Sequence, residues 1–243
     1  MENGYQNEID FINYLNSKKY ADVNIMMQDF IKALFPDIKQ QDTIKAYKYG
    51  HYAKTDIVID INGIKKGISI KCGSRNSVHI EPISKFVNYL QKLDFDEINK
   101  LLEYIYSDGT NNNTDTLRQS AEEYKIKHSQ DILLINNSLK SIKKDLIIRF
   151  LIKTDINYKI TVDAFMEGQP FDFIWATKNE IINYLVKQEP ISSGVHVSNL
   201  FIQNWNKNIK QNPKYEYCRD YIQVKWYSMF DDLIRIMCER ENK

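Results

Sequence analysis

Asp56, Ser69, Lys71 and Glu81 bring two carboxylates, a hydroxyl and a primary amine into one short stretch of the chain. Side chains of these types suit hydrolysis of a phosphodiester. That reaction needs a hard divalent cation held by oxygen ligands, an activated water, and positive charge near the phosphoryl oxygens. Asp56 and Glu81 are the candidate metal ligands. Lys71 is the candidate to orient the water or neutralise developing charge, and Ser69 lies two residues before it.

Such groups can act together only if local structure points them the same way. Residues 55–61 alternate, with Ile57, Ile59 and Ile61 on one face of a predicted strand and Asp56, Val58 and Asp60 on the other. Asn62-Gly63 is a strong hairpin signal, since both central positions of a type I′ turn need positive φ. The return strand, about Lys65 to Cys72, puts Ile68 and Ile70 on the apolar face and Gly67, Ser69 and Lys71 on the polar one. Gly73 should break it, and a short loop should lead to a helix with Pro82 in its first turn, carried by Ile83, Phe86, Val87 and Leu90. Glu81 would then sit at the helix entrance. Ahead of the hairpin, residues 5–35 read as two helices stopped by Pro36, followed by a weak strand from Thr43 to Tyr49.

Thr55-Asp56 followed by Ser69-Ile70-Lys71 resembles the PD-(D/E)xK nuclease superfamily, in which an Asp on one strand is followed by (D/E)-x-K on the next. The resemblance covers roughly residues 5 to 92. Ser69 departs from the pattern, because a hydroxyl cannot give a metal a full negative charge. The chain is similar here to type II restriction endonucleases in which Ser-x-K replaces Glu-x-K and a following helix supplies the carboxylate, a part that would fall to Glu81. Glu8 matches the superfamily's auxiliary acid by position.

The resemblance implies an α/β fold, a restriction-endonuclease-like mixed central sheet flanked by helices with a helical insertion. It also implies Mg²⁺-dependent cleavage of double-stranded DNA, with Mn²⁺ as a substitute, by a homodimeric endonuclease. Two other outcomes remain open at this point: a non-catalytic nucleic-acid-binding protein with a degenerate nuclease fold, and a nuclease acting on other DNA or RNA structures. Without the resemblance, Asp56 and Lys71 would be a solvated hairpin face, and His79 has no second His or Cys at ligand spacing.

The 243 residues suffice for one large domain or two modest ones, and 43% hydrophobic with 27% charged residues is a globular composition, which argues against disorder. A net charge of +1 gives no global basic signature, but residues 118–153 carry eight basic against four acidic side chains. Cys72, Cys218 and Cys238 form neither a metal-type pair nor an even disulfide framework, and no apolar run is long enough for a membrane span. A cytoplasmic protein is expected.

The loop at 107–114 divides an expected nuclease core, 1–110, from a helical insertion and C-terminal elaboration, 111–243. Asp94 is expected to cap a helix, 117–153 to be helical, and 158–165 and 171–176 to be strands. Thr177 is expected to cap a helix at 180–187, and 195–205 to be one strand. Asn76, Gln203, Asn204, Trp205 and Lys207 are candidate DNA contacts, of types that read base edges, stack or hold phosphates. Gln223-Val224-Lys225 is a second candidate site, but Ile222, Trp226, Met229, Phe230 and Leu233 mark a stripe that reads as helix.

Overall fold

Ile61 and Ile64 face each other across a two-residue turn in which Asn62 (φ 54°) and Gly63 (φ 86°) both take positive φ, as a type I′ hairpin demands. The Asp60 carboxylate accepts the Gly63 N–H at 3.0 Å, so that acid serves the turn. The computed structural model describes residues 4–50, 53–71, 76–110, 118–153, 159–190, 193–205 and 213–242.

In chain order the elements are α1 (Gly4–Leu15), α2 (Ile25–Leu34), β1 (Lys45–Lys48), β2 (Ile57–Ile61), β3 (Ile64–Lys71), β4 (Ser77–Pro82), α3 (Ile83–Gln91), α4 (Ile98–Tyr106), α5 (Ala121–Lys127), α6 (Ser129–Ser141) and α7 (Lys143–Ile147). They continue with β5 (Val162–Gln169), β6 (Asp172–Thr177), α8 (Lys178–Lys187), β7 (Val195–Val197), β8 (Leu200–Asn204), β9 (Tyr221–Trp226) and α9 (Met229–Glu241). The fold is mixed α/β with two sheets, one mixed and one antiparallel.

The chain divides into two compact units. The first comprises 1–75, 151–184 and 228–243, and the second 76–150 and 185–227. This division does not follow the expected segments 1–110 and 111–243. The reason is pairing: β5 lies parallel to β3, with Ser69 opposite Phe165 and Lys71 opposite Glu167. A parallel neighbour needs a crossover, and here the crossover carries much of the second unit. The first unit cannot be contiguous in sequence.

In the first unit the sheet order is β1-β2-β3-β5-β6. Ile57, Ile59 and Ile61 of β2 and Ile68 and Ile70 of β3 are buried in one core with Phe11 and Leu15 of α1, Met27 and Phe30 of α2, and Phe173 and Trp175 of β6. Edge-to-face contacts fix the aromatic members, Phe11 on Phe173 at 5.8 Å and Phe30 on Trp175 at 5.2 Å. Asn24 caps α2 by accepting the Met27 N–H at 2.8 Å. Gly67 is required where β3 meets the start of β5, because a Cβ there would lie 2.2 Å from the Thr161 carbonyl oxygen. Thr177 and Glu180 bond reciprocally at the start of α8, the expected cap.

The second unit holds the antiparallel sheet β4-β9-β8-β7. Four expectations are corrected here. Residues 77–82, expected to begin as a loop, form β4, whose last residue Pro82 also caps α3, so the expected helix does follow at Ile83. Residues 195–205 form a hairpin, since Ser198 (φ 57°) turns the chain between β7 and β8. Gln223 and Lys225 lie on strand β9, where Ile222, Val224 and Trp226 are buried in alternation. Asp94 takes φ 53° and ends α3 in a left-handed C-terminal turn, with Phe95 donating to the Leu90 carbonyl, so it does not cap α4.

Candidate active site

Asp56 immediately precedes β2, and its backbone N–H donates to the Ile68 carbonyl at 2.9 Å, which fixes it beside β3. Two donors and a cation from β3 converge on a single carboxylate oxygen. The Ile70 N–H donates to Asp56 Oδ2 at 2.6 Å, the Ser69 hydroxyl donates to it at 3.1 Å, and Lys71 Nζ stands 3.9 Å away. The other oxygen, Oδ1, receives no hydrogen bond among the described residues. Asp56 and Lys71 side chains are each 21% exposed, enough for solvent or a ligand to reach them. A partly exposed ion pair at this distance contributes only about 0–1 kcal/mol to stability. The ion pair with Lys71 therefore adds little to holding the fold, which here rests on the Ile70 and Ser69 hydrogen bonds.

Of the four residues singled out first, the structure brings three together. Asp56, Ser69 and Lys71 share the polar face of the hairpin, opposite the isoleucines, as alternation required. Glu81 belongs to the second unit. On β4 it lies opposite Ile222, and it is almost wholly buried, at 3% exposed. Arg149 clamps it with two bonds, Nε to Oε1 at 2.9 Å and a terminal nitrogen to Oε2 at 2.5 Å, and His79 Nε2 stands 2.9 Å from Oε1. Burial alone would push the carboxyl's pKa up, but the hydrogen bonds and charges of His79 and Arg149 outweigh it and hold the pKa below the usual value. Both oxygens are thus committed to cationic partners. A metal ion would have to displace Arg149 to reach either of them.

Glu8 on α1 pairs with Lys48 of β1 at 2.9 Å. Among the candidate DNA contacts, Asn76 accepts the Trp226 N–H through its backbone carbonyl, and Gln203 donates to Gln223, which in turn donates to the Ser77 hydroxyl. Trp205 packs edge-on against Tyr217 and Tyr221. Asn204 is buried, and Lys207 lies outside the described residues. Gln223 and Lys225 share β9 with no carboxylate at the adjoining registers of β4 and β8 on that face, where Ser77, Ile80, Phe201 and Gln203 stand.

Sequence reasoning missed Glu167. It stands beside Lys71 in the β3–β5 register, so the two side chains share a face of the sheet. It makes no hydrogen bond or ion pair among the described residues, its Oε2 is buried, and burial pushes its pKa up. An acid so left is costly unless something else pairs with it. The sequence signal was weak: Val162, Ala164 and Met166 alternate with Asp163, Phe165 and Glu167, which marks a two-faced strand but gives no hint of its partner.

Asp56 and Glu167 flank β3 from opposite sides, one with an uncommitted oxygen and the other with an unpaired buried one. No group of three or more His, Cys, Asp or Glu able to hold a metal occurs among the described residues. Two carboxylates are nonetheless a usual protein contribution for Mg²⁺, which keeps several waters and takes substrate oxygens as further ligands. No protein-family model matches this chain, and no curated protein matches it. No helix among the described residues is long and apolar enough to cross a membrane.

Proposed function

We propose that this chain is a Mg²⁺-dependent endodeoxyribonuclease that hydrolyses phosphodiester bonds in duplex DNA. The observation that carries the reading is the convergence of the Ile70 N–H, the Ser69 hydroxyl and the Lys71 ammonium on one oxygen of Asp56. A hairpin with Asp before one strand and Ser-x-Lys ending the next, followed by a parallel neighbour, also suits a restriction-endonuclease-like core. Asp56 and Glu167 would hold the cation, which when bound supplies Lewis-acid polarisation and a water of lowered pKa.

The residues' own contributions follow from their contacts. Ser69 and the Ile70 amide orient the Asp56 carboxylate so that Oδ1 is presented outward. Lys71 brings a positive charge to the same face, where it stabilises charge developing on the phosphoryl oxygens or orients the attacking water. Glu167 takes the carboxylate role that Ser69 cannot fill and that the resemblance gave to Glu81.

The narrower reading, a homodimeric type II restriction endonuclease, rests on resemblance and predicts discrete fragments from plasmid DNA. A second reading, a non-catalytic nucleic-acid-binding protein, is favoured by the engagement of Glu81 with Arg149. It predicts salt-dependent DNA binding without cleavage in Mg²⁺ or Mn²⁺. The deciding assay incubates supercoiled and linear duplex DNA with the purified chain and each metal. Nicking or cutting that EDTA abolishes supports the nuclease, and absence of cleavage with every substrate and metal rejects it.

A further inference from the structure

Strand β5 carries one residue more than its pairing with β3 uses. Gly67 lies opposite Val162, but the next pair is Ile68 with Ala164, so Asp163 has no counterpart on β3. This is a β-bulge, an extra residue that re-aims the side chains beyond it. From Gly67 and Val162, an uninterrupted ladder would bring Lys71 opposite Met166 and turn Glu167 to the face of the isoleucines. With the bulge, Ile70 meets Met166 in the core and Lys71 meets Glu167, because a shift of one residue exchanges the two faces of a strand.

The extra residue is confined between two fixed ends. Upstream, the Ile160 N–H donates to the Tyr49 hydroxyl at 3.2 Å, and the Ile160 carbonyl accepts from the Thr55 hydroxyl at 3.4 Å. Gly67 admits Thr161 beside it because it has no Cβ. Downstream, Ala164 and Met166 are buried with the isoleucines of β2 and β3. At the bulge itself, Asp163 Oδ2 accepts the Gly67 N–H at 3.0 Å, in place of a carbonyl of a regular ladder. Its Oδ1 accepts from Lys178 Nζ at 2.8 Å, with Lys66 Nζ 3.9 Å away. The Asp163 side chain is only 12% exposed, so these bonds are largely shielded from water. Both of its oxygens are engaged, which suits a residue that holds the strand and not one that holds a ligand.

We infer that Asp163 is a positioning residue of the proposed active site: it secures the bulge that turns Glu167 to the face of Asp56 and Lys71. The role in catalysis rests on the hydrolytic reading, whereas the effect on strand register can be measured without it.

The test compares Asp163→Ala, Asp163→Asn, Glu167→Gln and the Asp163→Ala/Glu167→Gln double variant of the full chain. Calorimetric titration with Mn²⁺, in the absence of DNA, should show affinity weakened about ten-fold by Asp163→Ala, as when an outer partner of a metal ligand is lost. Asp163→Asn should keep most of the affinity, because its amide oxygen still accepts the Gly67 N–H. In the Glu167→Gln background, Asp163→Ala should weaken binding no further, since the group it positions is already gone. Equal losses in both backgrounds would mean that Asp163 only holds the fold, and would overturn the inference. In the metal-free protein, cross-strand nuclear Overhauser contacts between Lys71 and Glu167 should weaken in Asp163→Ala while those between β2 and β3 persist; unchanged contacts would also overturn it. A parent chain that binds no Mn²⁺ counts against the hydrolytic reading instead, and the metal-free comparison then decides the role of Asp163 by itself.

Discussion

Asp56 and Glu81 are both acids on sheets, each met by a cation and by further donors, yet they are arranged for opposite ends. Asp56 accepts two donors on one oxygen and stands 3.9 Å from Lys71, with its second oxygen uncommitted and its side chain partly exposed. Glu81 is sealed, with Arg149 occupying both oxygens and His79 beside one of them. The first arrangement leaves capacity for a ligand, and the second uses that capacity up in holding the structure together. Having a carboxylate at the right distance in sequence is therefore a weaker guide to chemistry than knowing which of its oxygens remain available.

The contrast can be broken most sharply at the first cluster. Asp56→Asn and Lys71→Ala should each lower DNA cleavage by about 10²–10⁴-fold, in the range for loss of a positioned catalytic group, while melting temperatures stay near that of the parent chain. Retained cleavage in both variants would remove the site.

At the second cluster the effect should move to stability. Arg149→Ala leaves Glu81 buried with His79 beside it but without its bidentate partner, and should cost about 3–5 kcal/mol in denaturant unfolding. A loss below 1 kcal/mol would mean that the clamp does not close as described.

Glu167→Gln separates the two roles within one residue. Relief of an acid whose Oε2 is buried without a partner should leave stability unchanged or slightly raised, while metal-dependent cleavage falls. A variant both destabilised and fully active would show that Glu167 holds the fold and is not a ligand.

The smallest effect is in acid. Because the folded-state pKa of Glu81 lies below its ordinary value of 4.5, the stability it contributes is fully present above that value and is lost as pH falls through the lowered one. The stability difference between parent and Glu81→Gln should therefore shrink as pH drops below about 4.5, and a difference that grows in acid would reverse the assignment.

How much of this was legible in the sequence depended on the range of the interactions involved. The β2–β3 hairpin could be read because Asn62-Gly63 and the alternating isoleucines act over neighbouring residues, and that hairpin alone aligned Asp56, Ser69 and Lys71. Strand β9 was hidden because Ile222 and Trp226 also fit a helical spacing that runs on into α9. Strand β4 was hidden because the residue it buries most deeply is a glutamate, which reads as exposed until Arg149, far along the chain, is brought to it. Glu167 was missed for the same reason: only the parallel pairing of β5 with β3 makes it a neighbour of Lys71.

That parallel pairing also bears on how the protein is made. When Lys71 has left the ribosome, its neighbouring strand, beginning at Val162, has yet to be translated, a wait of roughly 5–20 s at ordinary elongation rates. Throughout that interval β3 is a bare edge, open to pairing with the wrong chain. Lys65, Lys66 and Lys71 on that strand supply charges of the kind that discourage such pairing, so the lysine of the proposed active site would also help guard the nascent chain.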